Sequence, residues 1–161
     1  MDISFERGKN RTDEWFTPKW IIEALNCQFD LDPCTSYNRP FDIAPAILTK
    51  ENDGLISDWF GRVWCNPPYT PKLIKPFISK LAKHGNGIAL IFNRMDNALW
   101  HNIIFPTADS ILIMRGRVRF IDQRGKEGDS AGCGSVLVAW GKDNSKVIED
   151  CGIQGKFIKL K

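Results

Sequence analysis

The chain has 161 residues, 43% of them hydrophobic and 25% charged, with a formal charge of +3. That is a globular composition, long enough for one domain with a real core, and a charge that permits a nucleic-acid partner without demanding one. Apolar runs stop at about five residues, far short of the ~20 of a membrane helix, and Met1–Arg7 lacks the basic start and apolar middle of a signal peptide.

Cys27, Cys34, Cys65, Cys133 and Cys151 are odd in number, and no pair has CxxC spacing. They read as reduced thiols of a cytoplasmic protein. With His84 and His101 the only histidines, neither a zinc site nor a hydrolase triad is favoured, and no metal is expected.

Residues 1–14 are polar, with basic Arg7, Lys9 and Arg11 and no periodicity. They read as a flexible arm, or as an arm that touches a phosphate backbone. Thr17-Pro18 is an N-cap and first-turn signal for a short helix over 19–26, with Ile21, Ala24 and Leu25 on one face. Residues 28–32 alternate as a short strand that stops at Asp32-Pro33. Asp there is an ordinary turn former or a carboxylate placed to bind a cofactor. Residues 35–60 carry the breakers Pro40 and Pro45 and the turn Asn52-Asp53-Gly54, after which Leu55, Ile56, Trp59 and Phe60 are expected to cover a sheet.

Arg62-Val63-Trp64-Cys65 reads as a buried strand, ended by Asn66-Pro67-Pro68-Tyr69. Thr70-Pro71 then caps an amphipathic helix through Leu81 to His84-Gly85, with Pro76 a candidate kink. A buried strand over 87–92, a helix over 97–104 stopped by Pro106, a strand over 110–114 and an extended stretch over 118–121 follow. Residues 123–133 read as a polar loop, 135–140 as a last buried strand, and 142–161 as a basic tail with a short strand at 157–160. Strands alternating with helices predict an α/β fold with a mostly parallel sheet and a closing antiparallel ribbon, in a single domain over 1–161.

In open α/β sheets, ligands bind at the carboxyl ends of strands. There Asn66-Pro67-Pro68-Tyr69 can present the Asn66 side-chain carbonyl, the Pro67 backbone carbonyl and the Tyr69 ring. Two acceptors and a stacking plane suit a planar group with an exocyclic amine. Arg115, Arg117 and Arg119 alternate and are expected to share one face, with Phe120, Arg124 and Lys126 following. The stripe reads as a phosphate track beside the pocket, or as a charged strand edge that discourages aggregation.

The ordered set resembles the small phage and prophage Dam-like DNA N6-adenine methyltransferases. It comprises Trp15-Phe16-Thr17-Pro18, Leu31-Asp32-Pro33-Cys34, Asp53-Gly54-Leu55 with Trp59, Trp64-Cys65-Asn66-Pro67-Pro68-Tyr69, Gly116-Arg117-Val118-Arg119-Phe120 and the strand to Trp140. The resemblance implies a Rossmann-like S-adenosylmethionine-dependent methyltransferase fold, with double-stranded DNA as substrate and no obligate protein partner. It gives catalysis to Asn66, Pro67, Pro68 and Tyr69, and the methyl-donor pocket to Thr17, Pro18, Asp32, Pro33 and Asp53. The residue pattern itself, and not the resemblance, points to Arg115, Arg117, Arg119, Phe120, Arg124 and Lys126 for DNA contacts. The Gly-x-Gly turn that follows the first strand in many methyltransferases is replaced here by Asp32-Pro33-Cys34-Thr35-Ser36, which leaves the ribose contact unassigned. An amino-methyltransferase acting on RNA or protein glutamine, and an inactive nucleic-acid-binding relative, are the alternatives.

Overall fold

The computed structural model describes residues 14–161, so Arg7, Lys9 and Arg11 of the expected arm lie outside the described residues. Seven strands form one sheet in the order β2-β1-β3-β4-β8-β5-β9. They are β1 (Leu31–Asp32), β2 (Ala46–Ile47), β3 (Val63–Cys65), β4 (Gly87–Phe92), β5 (Ser110–Met114), β8 (Ser135–Trp140) and β9 (Gly155–Lys159). β6 (Arg119–Ile121) and β7 (Glu127–Ser130) form a separate two-stranded ribbon. Pairing is parallel from β2 to β4 and antiparallel from β4 to β9, so the expectation of a mostly parallel sheet holds for one half only. The cause is two reversed strands: β8, which enters between β4 and β5 and runs against both, and β9, which runs against β5 at the edge.

Both faces of the sheet are covered. On one, α2 (Pro71–His84) packs Phe77, Ile78 and Leu81 against Val63, Cys65, Ala89 and Ile91. On the other, Ile21 and Leu25 of α1 (Lys19–Leu25) join Trp64, Leu90, Leu137 and Ile148. Strands buried on both faces read as unbroken apolar runs, which is why 87–92, 110–114 and 135–140 were legible as strands. Among the described residues no helix is long and apolar enough to cross a membrane.

Several expectations are corrected. Thr17 does not cap α1: Pro18 holds that position in extended conformation, and the Thr17 hydroxyl is spent elsewhere. Pro106 does not stop its helix at 104, because a π-helical turn over Trp100–Ile104 runs into α3 (Phe105–Thr107), a local widening that accommodates the missing proline N–H. Leu55 and Trp59 do pack on the sheet layer, whereas Ile56 and Phe60 face solvent. The polar loop over 123–133 contains β7.

The tail over 142–161 is structured as α4 (Lys142–Asp150) and the edge strand β9. α4 was hidden because its buried face is partly polar. Asn144 donates to Trp140 O and Asn86 Oδ1, both at 2.7 Å, and accepts from Arg62 Nε at 2.8 Å, while the Ser145 and Ser110 hydroxyls pair at 2.6 Å. Helical periodicity cannot be seen where hydrogen bonds replace apolar contact.

Candidate active site

β3 is fully buried and held by parallel pairing on both sides, Leu31↔Val63 and Cys65↔Ala89. Pro67 and Pro68 end it and turn the chain toward α2. Asn66 therefore emerges from a rigid strand end. Its side-chain Nδ2 donates to Thr17 Oγ1 at 3.1 Å. Its Oδ1 accepts from the Tyr69 hydroxyl at 2.8 Å, and that hydroxyl also reaches Leu90 O at 2.9 Å. Thr17 is only 2% exposed, so both ends of the Asn66 amide are tied by hydroxyls from different parts of the chain.

β1 ends beside this turn. The Cys34 thiol lies 3.7 Å from Cys65 Sγ and 3.5 Å from the Asn66 carbonyl oxygen, to which it donates. The neighbouring Cys65 thiol, together with burial, pushes the Cys34 thiol well above its ordinary value. Asp32 is buried, its backbone carbonyl accepting from Leu48 N at 2.9 Å. Burial raises its carboxyl to about 7, against smaller opposing contributions from the Cys34 backbone, Arg39 and Thr35. The 52–54 turn docks here too. A Cβ on Gly54 would stand 2.1 Å from Pro33 O, so only glycine allows the approach. Asp53 itself is exposed, with φ 50°, and its Oδ1 accepts from Leu55 N at 3.0 Å.

The structure thus brings Thr17, Asp32-Pro33, Gly54 and Asn66-Pro67-Pro68-Tyr69 to one corner. The Tyr69 ring differs from the simple picture of an open plane, since Phe92 stacks on it at 4.1 Å between centroids and 24° between planes. Burial, reinforced by neighbouring Cys65, Cys34 and Cys133, pushes the Tyr69 phenol well above its usual range, so it stays protonated. Sequence reasoning missed Phe92, the Leu90 carbonyl and the Cys34–Cys65 contact. An aromatic closing an otherwise aliphatic strand was the one available signal for Phe92; a backbone carbonyl leaves none.

The ribbon rises beside this corner. Phe16 and Ile121 exchange backbone hydrogen bonds at 2.8 and 3.0 Å, so the segment leading to Thr17 pairs with β6. Trp15 lies over Gly128 of β7, where a Cβ would come within 2.5 Å of its ring. Asp122 shapes the ribbon turn, its Oδ1 accepting from Arg124 N at 2.9 Å and Lys126 N at 3.0 Å. The Lys126 backbone bond is the largest cause of its lowered carboxyl pKa.

Arg117 and Arg119 are exposed and alternate with buried Val118 and Phe120, as a shared face requires. Arg115 does not belong to that face. Gly116, at φ 77°, turns the chain between them, and Arg115 lines a groove with Trp20 and Cys151. Arg124 and Lys126 are exposed at the ribbon turn. Phe120 points inward, 9% exposed, edge-on to Phe92 at 6.4 Å and 89°.

The corner thus sets a strand-end amide and a buried carboxyl beside a basic ribbon. The family model for DNA N-6-adenine-methyltransferase (Dam) matches residues 6–150, most of the chain, and the chain belongs to that family. It is a DNA adenine methyltransferase with DNA as its substrate. No curated protein and no solved structure matches it.

Proposed function

We propose that the chain moves a methyl group from S-adenosylmethionine to the N6 amine of adenine in duplex DNA, on a base swung out of the helix, within a single Rossmann-like domain. The observation that carries this reading is the Asn66 amide, fixed at the end of β3 between Thr17 and Tyr69 and beside the buried Asp32. The order β3-β4-β8-β5, with one reversed strand inserted, supports the Rossmann-like assignment.

S-adenosylmethionine, when bound, supplies an electrophilic methyl group on a positively charged sulfur. A buried carboxyl balanced near neutrality fits a cationic cofactor, because positive charge nearby favours its ionised form. Asp32, Pro33, Thr17 and Pro18 would hold that group at the sheet edge, with Asp53 at the rim.

The adenine N6 lone pair is delocalised into the ring and is a poor nucleophile. Asn66 Oδ1 and the Pro67 carbonyl accept from its two hydrogens and draw the nitrogen toward tetrahedral geometry, which frees the lone pair for attack. Tyr69 stacks on the base, with Phe92 backing the ring. Extracting the base costs a few kcal/mol, and stacking returns roughly 1–3 kcal/mol. Arg117, Arg119, Arg124 and Lys126 hold the phosphates.

Incubation of the protein with methyl-labelled cofactor and unmethylated DNA, followed by nucleoside analysis, tests the reading. N6-methyladenine as the labelled product is the expected result; label in RNA or protein alone would overturn it.

A further inference from the structure

The corner contains one hydroxyl with two acceptors. Tyr69 lies 2.8 Å from Asn66 Oδ1 and 2.9 Å from Leu90 O, yet a phenol has a single proton and donates to one of them at a time. We propose that the Tyr69 hydroxyl stands in for the target amine. It holds the Asn66 side-chain oxygen in the resting enzyme and releases it to the incoming N6–H by turning to the Leu90 carbonyl. The inference rests on the reading of Asn66 as acceptor of that amine.

Three features make the exchange cheap and directed. Leu90 lies one residue past the last β3–β4 pair, Cys65↔Ala89, so its carbonyl stands where the ring can reach it. The move needs only rotation of the O–H bond, since Phe92 stacked at 4.1 Å keeps the ring in place. Thr17 meanwhile keeps hold of Nδ2, so the oxygen end still points at the vacated position. The Tyr69 hydroxyl and the N6 amine are both neutral donors, and one hydrogen bond replaces another without leaving a buried acceptor bare. The stacking ring of Tyr69 would thus touch the base, while its hydroxyl acts through Asn66 as a positioning group.

Tyr69→Phe keeps the ring and its stack on Phe92 and removes only the hydroxyl. With unmethylated plasmid DNA as substrate, kcat is expected to fall about tenfold while KM for DNA stays within about twofold, because the hydroxyl presets Asn66 Oδ1 for base entry, a step that follows DNA binding and precedes methyl transfer. In nitrogen-15 spectra of the free protein, the Asn66 side-chain NH2 signal should shift and broaden in the variant. A parental kcat, an unmoved Asn66 signal, or a raised KM with unchanged kcat would each overturn the hand-over.

If the variant does not fold, the parent answers the question. Its Asn66 NH2 signal must move when duplex DNA and S-adenosylhomocysteine are added together, and a static signal refutes the exchange. Asn66→Ala separates the two levels. A fully active Asn66→Ala removes the reading of Asn66 itself, whereas an inactive Asn66→Ala beside a fully active Tyr69→Phe removes only the hand-over.

Discussion

At the corner formed by β1 and β3, side chains are buried or half-buried and tied to one another: Thr17 to Asn66, Asn66 to Tyr69, Cys34 to Cys65. On the ribbon of β6 and β7, Arg119, Arg124 and Lys126 stand in solvent, and Asp122 orders only the turn backbone. The contrast matches the two tasks proposed for these regions. Activating a weak amine needs acceptors held in fixed geometry away from water. Holding a phosphate backbone needs charge, tolerates mobile side chains, and weakens with salt. Two links join the regions, the Phe16–Ile121 bridge and the Phe120–Phe92–Tyr69 ring contacts. A change at the corner should therefore appear in the rate and ignore salt, and one on the ribbon should appear in binding and depend on it.

The strongest way to break this division is Asn66→Ala. Loss of a preorganised hydrogen-bonding group at a reacting centre costs about 10²–10³ in rate. Methyl transfer by Asn66→Ala should fall by at least that factor, with cofactor binding by calorimetry close to parental. A variant that instead lost DNA affinity with a changed salt slope would put Asn66 on the ribbon's side of the comparison.

Asp32 sharpens the corner's side through pH. Its carboxyl titrates near 7 in the folded protein, against about 3.9 for an unperturbed aspartate. Between those values the folded state holds more protons than the unfolded one, so stability falls as pH rises from about 4 to about 7. The fall is at most about 4 kcal/mol at 1.36 kcal/mol per unit, and stability levels off above that window. Asp32→Asn should flatten the slope in urea titrations run across this range. It should be more stable than the parent at pH 8, where the parent holds a buried charge, and similar to it at pH 4. A parent whose stability rose through this interval would contradict the burial that governs Asp32.

The same division decides what was legible in the sequence. The long strands announced themselves because burial on both faces makes unbroken apolar runs, and α2 did so through its apolar stripe. The corner was legible as motifs: Thr17-Pro18, Asp32-Pro33 and Asn66-Pro67-Pro68-Tyr69 do meet. Its hydrogen bonds were not, because the Leu90 carbonyl carries no residue-type signal and Thr17 had a second plausible use as a cap. α4 was lost to its polar buried face, and β7 to its short, charged sequence Glu127-Gly128-Asp129-Ser130. Ribbons of that kind are defined by pairing with a neighbour, Arg119↔Ser130 here, which one-dimensional patterning does not contain.

On the ribbon, effects should be smaller and ionic. Replacing Arg117 and Arg119 together by Ala should weaken DNA binding about tenfold at 0.15 M salt and reduce the slope of log affinity against log salt by about 2, one unit per lost phosphate contact. Arg115→Ala should do least. Arg115 sits beyond the Gly116 turn, its backbone N–H bonded to Gln154 O at 2.9 Å, in a groove with Trp20 on the α1 side of the molecule. Its guanidinium is thus on a different path from the Arg117–Arg119 face. Affinity within about twofold of the parent and an unchanged slope are expected in fluorescence-anisotropy titrations at several salt concentrations. A slope reduced by a full unit would show that the DNA track continues across Gly116 to α1, and that the ribbon is only part of the electrostatic surface.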